Sequence, residues 1–219
     1  INKYVGLKKA YGEDIGISVE DIVTNDVSSA INEANKNPEV HGIIVQLPLI
    51  ETELAEVEKI LNKILPEKDV DGLGRGAKFD SATATAIYWL LVSYDIKLAD
   101  KKIAVVGRGK LVGAPLIKIL QSAGYMPDVF GRDSDIDKLI NYDLIITATG
   151  QPELIKPEMV KTGATIIDAG TASDSGKLMG DVAEKVRERT DLAAITPKIG
   201  GVGPLTVATL FENLLKNFS

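Results

Sequence analysis

The sequence predicts an α/β protein in which a doubly wound parallel sheet is accompanied by a smaller α/β domain. Short apolar stretches alternate with helical segments over residues 103–168, which is typical of parallel strands buried on both faces. Residues 1–80 instead combine amphipathic helices with few strands. A chain of 219 residues, 45% of them hydrophobic, is long enough for one domain or two small ones.

The first part of the chain is predicted to be mostly helical. Helices are expected over residues 2–15, over residues 26–37 with Asp26 as the N-cap, and over residues 54–65 before Pro66. A weak strand is expected at 17–22 and a buried strand at 42–46. His41 precedes the second strand and has no second histidine or nucleophile beside it, so it is interpreted as structural or exposed.

The second part of the chain carries the regular alternation. A helix is expected over residues 81–94, and further helices at 111–123, 135–140 and 157–160 separate strands at 103–106, 128–130, 144–148 and 165–168. An apolar helix is expected over 204–217. We therefore assign residues 1–80 to one domain, completed by the C-terminal helix 204–219, and residues 81–203 to a second domain.

Composition excludes several classes of protein. The net charge is −6 and no basic stripe is present, which argues against a nucleic-acid partner. No apolar stretch approaches the roughly 18 residues of a membrane span, and no leader precedes the first helix. The chain has no cysteine and one histidine, so neither a disulfide framework nor a metal centre is expected. A cytoplasmic protein is favoured, and Ile1 in place of Met suggests a missing N-terminus.

A glycine loop directly after the strand 103–106 is the clearest local motif. Gly107, Arg108, Gly109, Val112 and Gly113 lie where a strand turns into a helix, and glycines there let the backbone approach a pyrophosphate at the helix N-terminus. The spacing is one residue longer than the common fingerprint. Dinucleotide binding is the main interpretation, and a purely structural turn is the alternative.

The cofactor is expected to be NADP. Arg108 lies inside the glycine loop and Arg132 follows the second strand, where NAD readers usually carry an acid for the ribose hydroxyls. Asp133 leaves NAD open as an alternative. Thr149 and Gly150 are further candidates for the cofactor site.

Three other features could carry chemistry. Tyr4 and Lys8 are four residues apart on a predicted helix, so the phenol and the amine are neighbours that could move protons. The segment 69–72 contains Asp71 but lacks the remaining ligands of a calcium loop, so a substrate-facing acid is favoured. The loop 196–206 is rich in glycine and proline; it could contact a cofactor or a flat ring, or could simply be a turn between domains.

Seven motifs then occur along the chain in a characteristic order: Tyr4-x-x-x-Lys8, Val45-Gln-Leu-Pro-Leu49, Lys68-Asp-Val-Asp-Gly72, Val106-Gly-Arg-Gly109 with Val112-Gly-Ala-Pro115, Ile167-Asp-Ala-Gly170, Gly180-Asp-Val182, and Thr196-Pro with Gly200-Gly-Val-Gly-Pro204 and Thr206-Val-Ala. In kind and order they resemble the bifunctional methylenetetrahydrofolate dehydrogenase/methenyltetrahydrofolate cyclohydrolase family. The resemblance runs nearly end to end.

The resemblance implies a function and a set of roles. It implies NADP-dependent oxidation of methylenetetrahydrofolate and hydrolysis of the methenyl product to 10-formyltetrahydrofolate, in one-carbon metabolism and purine biosynthesis. It also implies a homodimer in which each chain has a catalytic domain and a Rossmann domain, with a folate cleft where the two domains meet. The implied roles are Lys8 as the catalytic lysine, Tyr4 as its ring partner, Gln46 as the amide supporting the lysine, Asp71 as the carboxylate holding the pterin, Arg108 as the contact to the 2′-phosphate, and Gly200, Gly203 and Thr206 as the loop lining folate and nicotinamide.

Some positions depart from the family pattern. Family members carry a helix and the first strand ahead of the tyrosine helix, so we expect the first domain to be incomplete. Ile1 replaces a usual serine, Ala84 a proline, and Lys198-Ile199 a usual Val-Pro, while Gly109 and Gly131-Arg132 replace a serine and a His-Ser pair. Two alternatives follow: a cofactor-binding relative that has lost catalysis, and a Rossmann dehydrogenase of the shikimate type.

Overall fold

The computed structural model describes residues 2–49, 52–170, 172–174 and 177–218, and the chain divides into two compact units. Unit 1 contains Ile1–Thr83 and Gly203–Ser219, and unit 2 contains Ala84–Val202. Unit 1 is thus built from two segments that are far apart in the sequence. Unit 2 is one continuous segment inserted between them.

Unit 1 begins with three helices: α1 (Asn2–Asp14), α2 (Val27–Lys36) and α3 (Leu54–Leu61). The predicted cap of α2 is confirmed, because the Asp26 side chain accepts a hydrogen bond from the Ser29 N–H at 2.9 Å. The fourth helix, α4 (Ala82–Ser93), starts in unit 1 and continues into unit 2. Helix α3 ends four residues earlier than predicted, since residues 62–65 turn before Pro66.

The two strands predicted in unit 1 are wrong. Residues 17–22 form no strand, and the predicted strand 42–46 is reduced to one parallel bridge between Ile43 and Asp69. A ladder requires a neighbouring strand, and in the described part of the chain Ile43 finds only this short partner, with its N–H donating to Lys68 O at 2.7 Å. The apolar run is nevertheless partly or fully buried, as its composition predicted.

Unit 2 contains the predicted parallel sheet, which is confirmed. Its elements are β1 (Ile103–Val106), α5 (Gly113–Ser122), β2 (Asp128–Phe130), β3 (Leu144–Thr147), β4 (Thr165–Asp168), β5 (Ala172–Asp174), β6 (Lys177–Met179), α6 (Glu184–Arg187) and β7 (Ala194–Ile195). The order across the sheet is β2-β1-β3-β4-β7, and every pairing is parallel. Strands β1, β3 and β4 are buried along their whole length.

The connections within unit 2 differ from the prediction in two ways. The helices expected at 135–140 and 157–160 are single 3₁₀ segments, Ile136–Asn141 and Pro157–Met159. The connection between β2 and β3 is short, and it begins with a turn in which the Gly131 N–H donates to Ser134 Oγ at 2.9 Å. The antiparallel pair β5–β6 and the short elements α6 and β7 were not predicted.

The last helix, α7 (Val202–Leu215), starts at the end of unit 2 and returns the chain to unit 1. Its Leu210 is buried with Val70 and Ala82 in an apolar cluster of unit 1. Buried Asn213 donates from Nδ2 to the main-chain oxygen of Val70 at 3.0 Å. Helix α7 therefore supplies part of the core of a unit whose other residues lie more than a hundred positions earlier.

Candidate active site

Lys8 and Gln46 form the central contact of unit 1. Lys8 Nζ donates to Gln46 Oε1 at 2.6 Å, and the Gln46 amide nitrogen donates to Leu47 O at 3.1 Å. The second bond fixes the orientation of the amide, so that its oxygen faces the lysine. Both side chains are partly buried. The hydrogen bond to Gln46 thus holds the titratable Nζ of Lys8 in a defined position.

Asp71 lies on the loop that faces this lysine. Gly72 has φ +68°, and a Cβ there would lie 2.5 Å from Asp80 O, so only glycine fits after Asp71. Buried Asp69 holds the same loop: its two carboxylate oxygens accept from the Gly72 N–H at 3.0 Å and the Gly74 N–H at 2.7 Å. Asp69 therefore fixes the loop that presents Asp71.

The charges of this cluster are coupled. Burial lowers the pKa of Lys8, and the negative charge of Asp71 partly opposes this effect. Burial raises the pKa of Asp71 to about 6, the nearby charge of Asp69 adds to the rise, and Lys8 opposes it. Burial thus disfavours the charged form of both partners, and a lysine whose charged form is disfavoured is better able to act as a base.

Tyr4 packs against the start of the C-terminal segment. A Cβ on Gly203 would lie 3.1 Å from Tyr4 Cε1, so the absence of a side chain there lets the ring approach the backbone of α7. Tyr4 lies one turn before Lys8 on α1, as predicted. Thr206 lies one turn after Gly203 and is partly buried. Tyr4, Lys8, Gln46 and Asp71 therefore gather in unit 1, and Gly203 joins Tyr4 there.

The glycine loop of unit 2 is tightly closed. Gly107 has φ +98°, and a Cβ on Gly113 would lie 2.1 Å from the main-chain oxygen of Gly107, so the first turn of α5 rests directly on the loop. Gly109 has nothing within 4 Å of its Cβ position, and Val112 precedes α5 without a side-chain cap. The glycine loop thus leads directly into the N-terminus of α5, a combination that binds phosphate groups in other proteins.

This loop lies at the switch point of the sheet. The strand order reverses between β1 and β3, and ligands of such sheets bind outside the carboxyl ends of those strands. A Cβ on Gly107 would lie 2.7 Å from Ala148 O and 3.1 Å from Thr149 Cγ2, so the segments that follow β1 and β3 touch. Gly150, next in the chain, is exposed. The predicted cofactor residues Gly107, Thr149 and Gly150 are therefore neighbours.

Arg108 reaches the end of β2. A Cβ on Gly131 would lie 3.4 Å from Arg108 Nε and 3.7 Å from its Cζ, which places the guanidinium over the residue that follows β2. Arg132, the next residue, is exposed, as is Arg108. An adenine ribose is read at this strand end in dinucleotide-binding sheets. A cation placed there suits a 2′-phosphate.

Comparison with known proteins identifies the family. A family model described as the catalytic domain of tetrahydrofolate dehydrogenase/cyclohydrolase matches residues 1–71, and the model of its NAD(P)-binding domain matches residues 81–219. The chain belongs to the tetrahydrofolate dehydrogenase/cyclohydrolase family. The resemblance predicted from the motifs is confirmed.

Relatives in this family cover nearly the whole chain. The bifunctional protein FolD of Macrococcus caseolyticus is 38% identical, and the match spans 97% of this chain and 80% of the relative. The cytoplasmic C-1-tetrahydrofolate synthase of Mus musculus is 35% identical over 99% of this chain. The chain spans about a quarter of the length of that synthase.

Solved structures show the same fold. A 5,10-methylenetetrahydrofolate dehydrogenase from Bombyx mori matches with a TM-score of 0.85 at 35% identity, covering 98% of this chain and 82% of that one. The Trypanosoma brucei dehydrogenase-cyclohydrolase, complexed with NADP and an inhibitor, matches with a TM-score of 0.85 at 31% identity, covering 99% and 82%. These matches confirm the predicted two-domain Rossmann-type architecture. A chorismate mutase/shikimate 5-dehydrogenase fusion shares only the fold, at 12% identity.

Gly200 and His41, two further residues considered in the sequence, are both exposed. Gly200 belongs to unit 2, is exposed and has φ +84°, with nothing near its Cβ position. His41 is exposed and packs edge-on against Phe218 with ring centroids 5.0 Å apart. Among the described residues, no cluster of three or more acidic or histidine side chains could hold a metal. In the same part of the chain, no helix is long and apolar enough to cross a membrane.

Sequence reasoning missed three buried carboxylates. Asp69, Asp168 and Asp181 each lie in one of the seven motifs, and the resemblance implies no role for them, yet all three are buried. The available signal was an acidic residue directly beside glycine or inside an apolar run, since such a residue must find hydrogen-bond donors when buried.

Proposed function

We propose that this chain oxidises 5,10-methylenetetrahydrofolate with NADP and hydrolyses the resulting methenyl bridge to give 10-formyltetrahydrofolate. The observation that carries the hydrolytic step is the 2.6 Å bond from Lys8 Nζ to Gln46 Oε1 beside Asp71. The observation that supports the redox step is the closed glycine loop with Arg108 lying over Gly131. Family membership supports both steps.

The residues of unit 2 fit a phosphorylated dinucleotide. Gly107 and Gly113 let the loop backbone pack closely on the start of α5, where a pyrophosphate would bind, and Arg108 lies where a 2′-phosphate would need a cation. Gly109, Val112, Arg132, Thr149 and Gly150 are proposed as further cofactor contacts in unit 2, and Thr206 of unit 1 is proposed as another. A bound NADP would supply the hydride acceptor for oxidation of the methylene bridge of the folate. The chain's own part in that step is to bind and orient the cofactor.

The residues of unit 1 supply the hydrolytic step. We assign Lys8 as the base: its neutral amine takes a proton from the attacking water while the water oxygen bonds to the methenyl carbon. The resulting hydroxyl group then loses its proton to solvent and becomes the formyl C=O, while the bond from that carbon to N5 breaks and N5 takes the proton held by Lys8. Gln46 holds Nζ in place through its oxygen. Asp71 binds the pterin, Tyr4 packs on its ring, and Gly200 and Gly203 contribute backbone to the folate site.

A matched pair of variants tests the role of Lys8. Lys8→Gln keeps a polar side chain of similar length but cannot titrate, so methenyltetrahydrofolate should accumulate while NADPH still forms; loss of a positioned base costs about 10²–10⁴-fold. The control is Lys9→Gln, the exposed neighbour that pairs with Asp21 at 3.3 Å. Hydrolysis by Lys8→Gln at the rate of the control would reject Lys8 as the base.

The wider setting is also part of the proposal. We propose a catalytic domain of residues 1–80 with 204–219, a dinucleotide domain of residues 81–203, and a homodimer. The cytoplasm is proposed as the location, supported by the cytoplasmic synthases among the relatives, with 10-formyltetrahydrofolate consumed in purine biosynthesis. Light scattering of the purified protein gives the oligomeric state directly, and a monomer at micromolar concentration would contradict the dimer.

A further inference from the structure

A buried polar array lies at the carboxyl end of the sheet in unit 2. Its members are Thr147 at the end of β3, Asp168 at the end of β4, Thr196 just after β7, and Asp181 in the segment after β6. Asp181 and Thr147 are completely buried. Buried polar side chains cost free energy unless they are bonded, so the partners of each carboxylate show what the array does.

Both carboxylate oxygens of Asp168 have hydrogen-bond partners, and this residue anchors the array. Its oxygens accept from the N–H groups of Gly170 and Asp181, each at 3.1 Å, and of Val182 at 3.2 Å, and it forms an ion pair with Arg187. Arg187 also donates to the main-chain oxygen of Thr196 at 2.8 Å. These bonds fix the segment 180–182, and with it the position of Asp181.

Asp181 reaches from this anchored segment to the end of β3. Its Oδ2 accepts from the hydroxyl of Thr147 and from the main-chain N–H of Thr149 at 2.7 Å. Its other oxygen, Oδ1, is buried without a hydrogen-bond partner among the described residues. A Cβ on Gly170 would lie 2.1 Å from this carboxylate, so glycine is needed there to leave it room.

Stability alone does not account for this arrangement. An apolar side chain of the same volume would avoid an unpartnered buried oxygen, and such replacements of buried charges are often neutral or stabilising. What an apolar side chain cannot do is accept the two bonds from Thr147 and Thr149. These two bonds fix the start of the segment after β3, and this segment touches the glycine loop: the Gly107 Cβ position is 3.1 Å from Thr149 Cγ2.

We propose that Asp181 is a positioning residue for the dinucleotide site, which holds Thr149 against the Gly107 loop through the two bonds that its Oδ2 accepts. This inference rests on the proposed function, because it takes the glycine loop and Thr149 to contact the dinucleotide. Asp181 acts through Thr149 and does not itself touch the cofactor. Its loss should weaken dinucleotide binding more than it slows hydride transfer at saturating cofactor.

Variants of Asp181 in the full chain test this proposal, and fluorescence titration measures their binding of NADP. Asp181→Leu removes both accepted bonds, and we expect the dissociation constant and the KM for NADP to rise about tenfold while kcat changes less than about threefold. Asp181→Asn can place its amide oxygen where Oδ2 lies and its NH₂ where the unpartnered oxygen lies. This conservative variant should therefore restore NADP affinity to within about threefold of the wild type.

The matched control acts on the other end of the same strand. Asp143 precedes β3, accepts from the Lys102 N–H at 2.8 Å and pairs with Lys161. Asp143→Asn weakens the anchoring of β3 away from the glycine loop, so it should lower the thermal midpoint without changing NADP affinity. If Asp181→Leu does not fold, Thr147→Val, which removes one of the two bonds, should raise the dissociation constant about threefold.

Two results would overturn the inference. One is NADP affinity that is unchanged in the folded variant, Asp181→Leu or else Thr147→Val. The other is an equal loss of affinity in Asp143→Asn, which would mean that general loosening of the sheet is responsible. Failure of the proposed function is a separate result, because the wild-type chain would then fail to bind NADP in the same titration.

Discussion

Arg108 is expected to select NADP over NAD. Its guanidinium lies over Gly131 at the end of β2, with Nε 3.4 Å from the Cβ position there. Replacing Arg108 with alanine removes the positive charge and its planar donors but leaves the glycine loop itself unchanged. NAD lacks the 2′-phosphate, so its binding should hardly depend on this side chain.

The size of the effect follows from the exposure of the arginine. Hydrogen bonds to a charged group are worth about 1.5–3 kcal/mol, and an exposed guanidinium belongs at the lower end because water and salt screen it. About 1.5 kcal/mol corresponds to a loss of roughly tenfold in NADP affinity. For NAD we expect a change below about twofold. The preference of the wild type for NADP should also decline as salt is added.

The assay measures the dissociation constants of NADP and NAD side by side for three proteins. These are the wild type, Arg108→Ala, and Lys118→Ala, which removes one positive charge from the exposed side of α5. Only Arg108→Ala should reduce the NADP-to-NAD preference. Equal losses for both cofactors, or the same loss in Lys118→Ala, would refute specific reading of the 2′-phosphate by Arg108 and direct attention to Arg132.

Three further predictions concern the two units. Asp71→Asn removes the negative charge that raises the pKa of Lys8, so the rise of the hydrolysis kcat with pH should move to lower pH; a shift to higher pH would contradict the coupling. Gly113→Ala places a Cβ 2.1 Å from the main-chain oxygen of Gly107, so NADP binding should fall by tenfold or more in a titration while the chain stays folded. Asn213→Ala leaves a buried main-chain oxygen without its donor and should lower the free energy of unfolding by about 1–3 kcal/mol in urea denaturation; a value below the error of the fit would argue that water replaces the amide.

Strands β1, β3 and β4 were predictable because each is a short, mainly apolar run that is buried along its whole length. The parallel pairing of β1 with β3, and the place of the glycine loop after β1, follow from the rules for doubly wound sheets. The N-cap at Asp26 was predictable from one residue and its position before an apolar pattern. These features are encoded by neighbouring residues, so predicting them does not require knowledge of distant parts of the chain.

Features that depend on distant partners were not predictable. Nothing in the local sequence around Asp181 indicates that Thr149 will donate to it, because the two residues meet only when β3 and the segment after β6 are both in place. The predicted strand 42–46 failed for the same reason, since an apolar run becomes a strand only where a neighbour pairs with it. The grouping of Lys8 with Gln46 came from family resemblance, not from spacing.

The return of α7 to unit 1 sets an order for folding during synthesis. Leu210 packs with Val70 and Ala82, so the core of unit 1 is not complete when the ribosome has finished residue 83. Unit 2 is continuous and can fold as soon as it emerges, whereas unit 1 must wait for α7, roughly 6–25 seconds at a synthesis rate of about 5–20 residues per second. During that interval Val70 and Ala82 lack their contact with Leu210, so the core of unit 1 is completed after unit 2 has been synthesised.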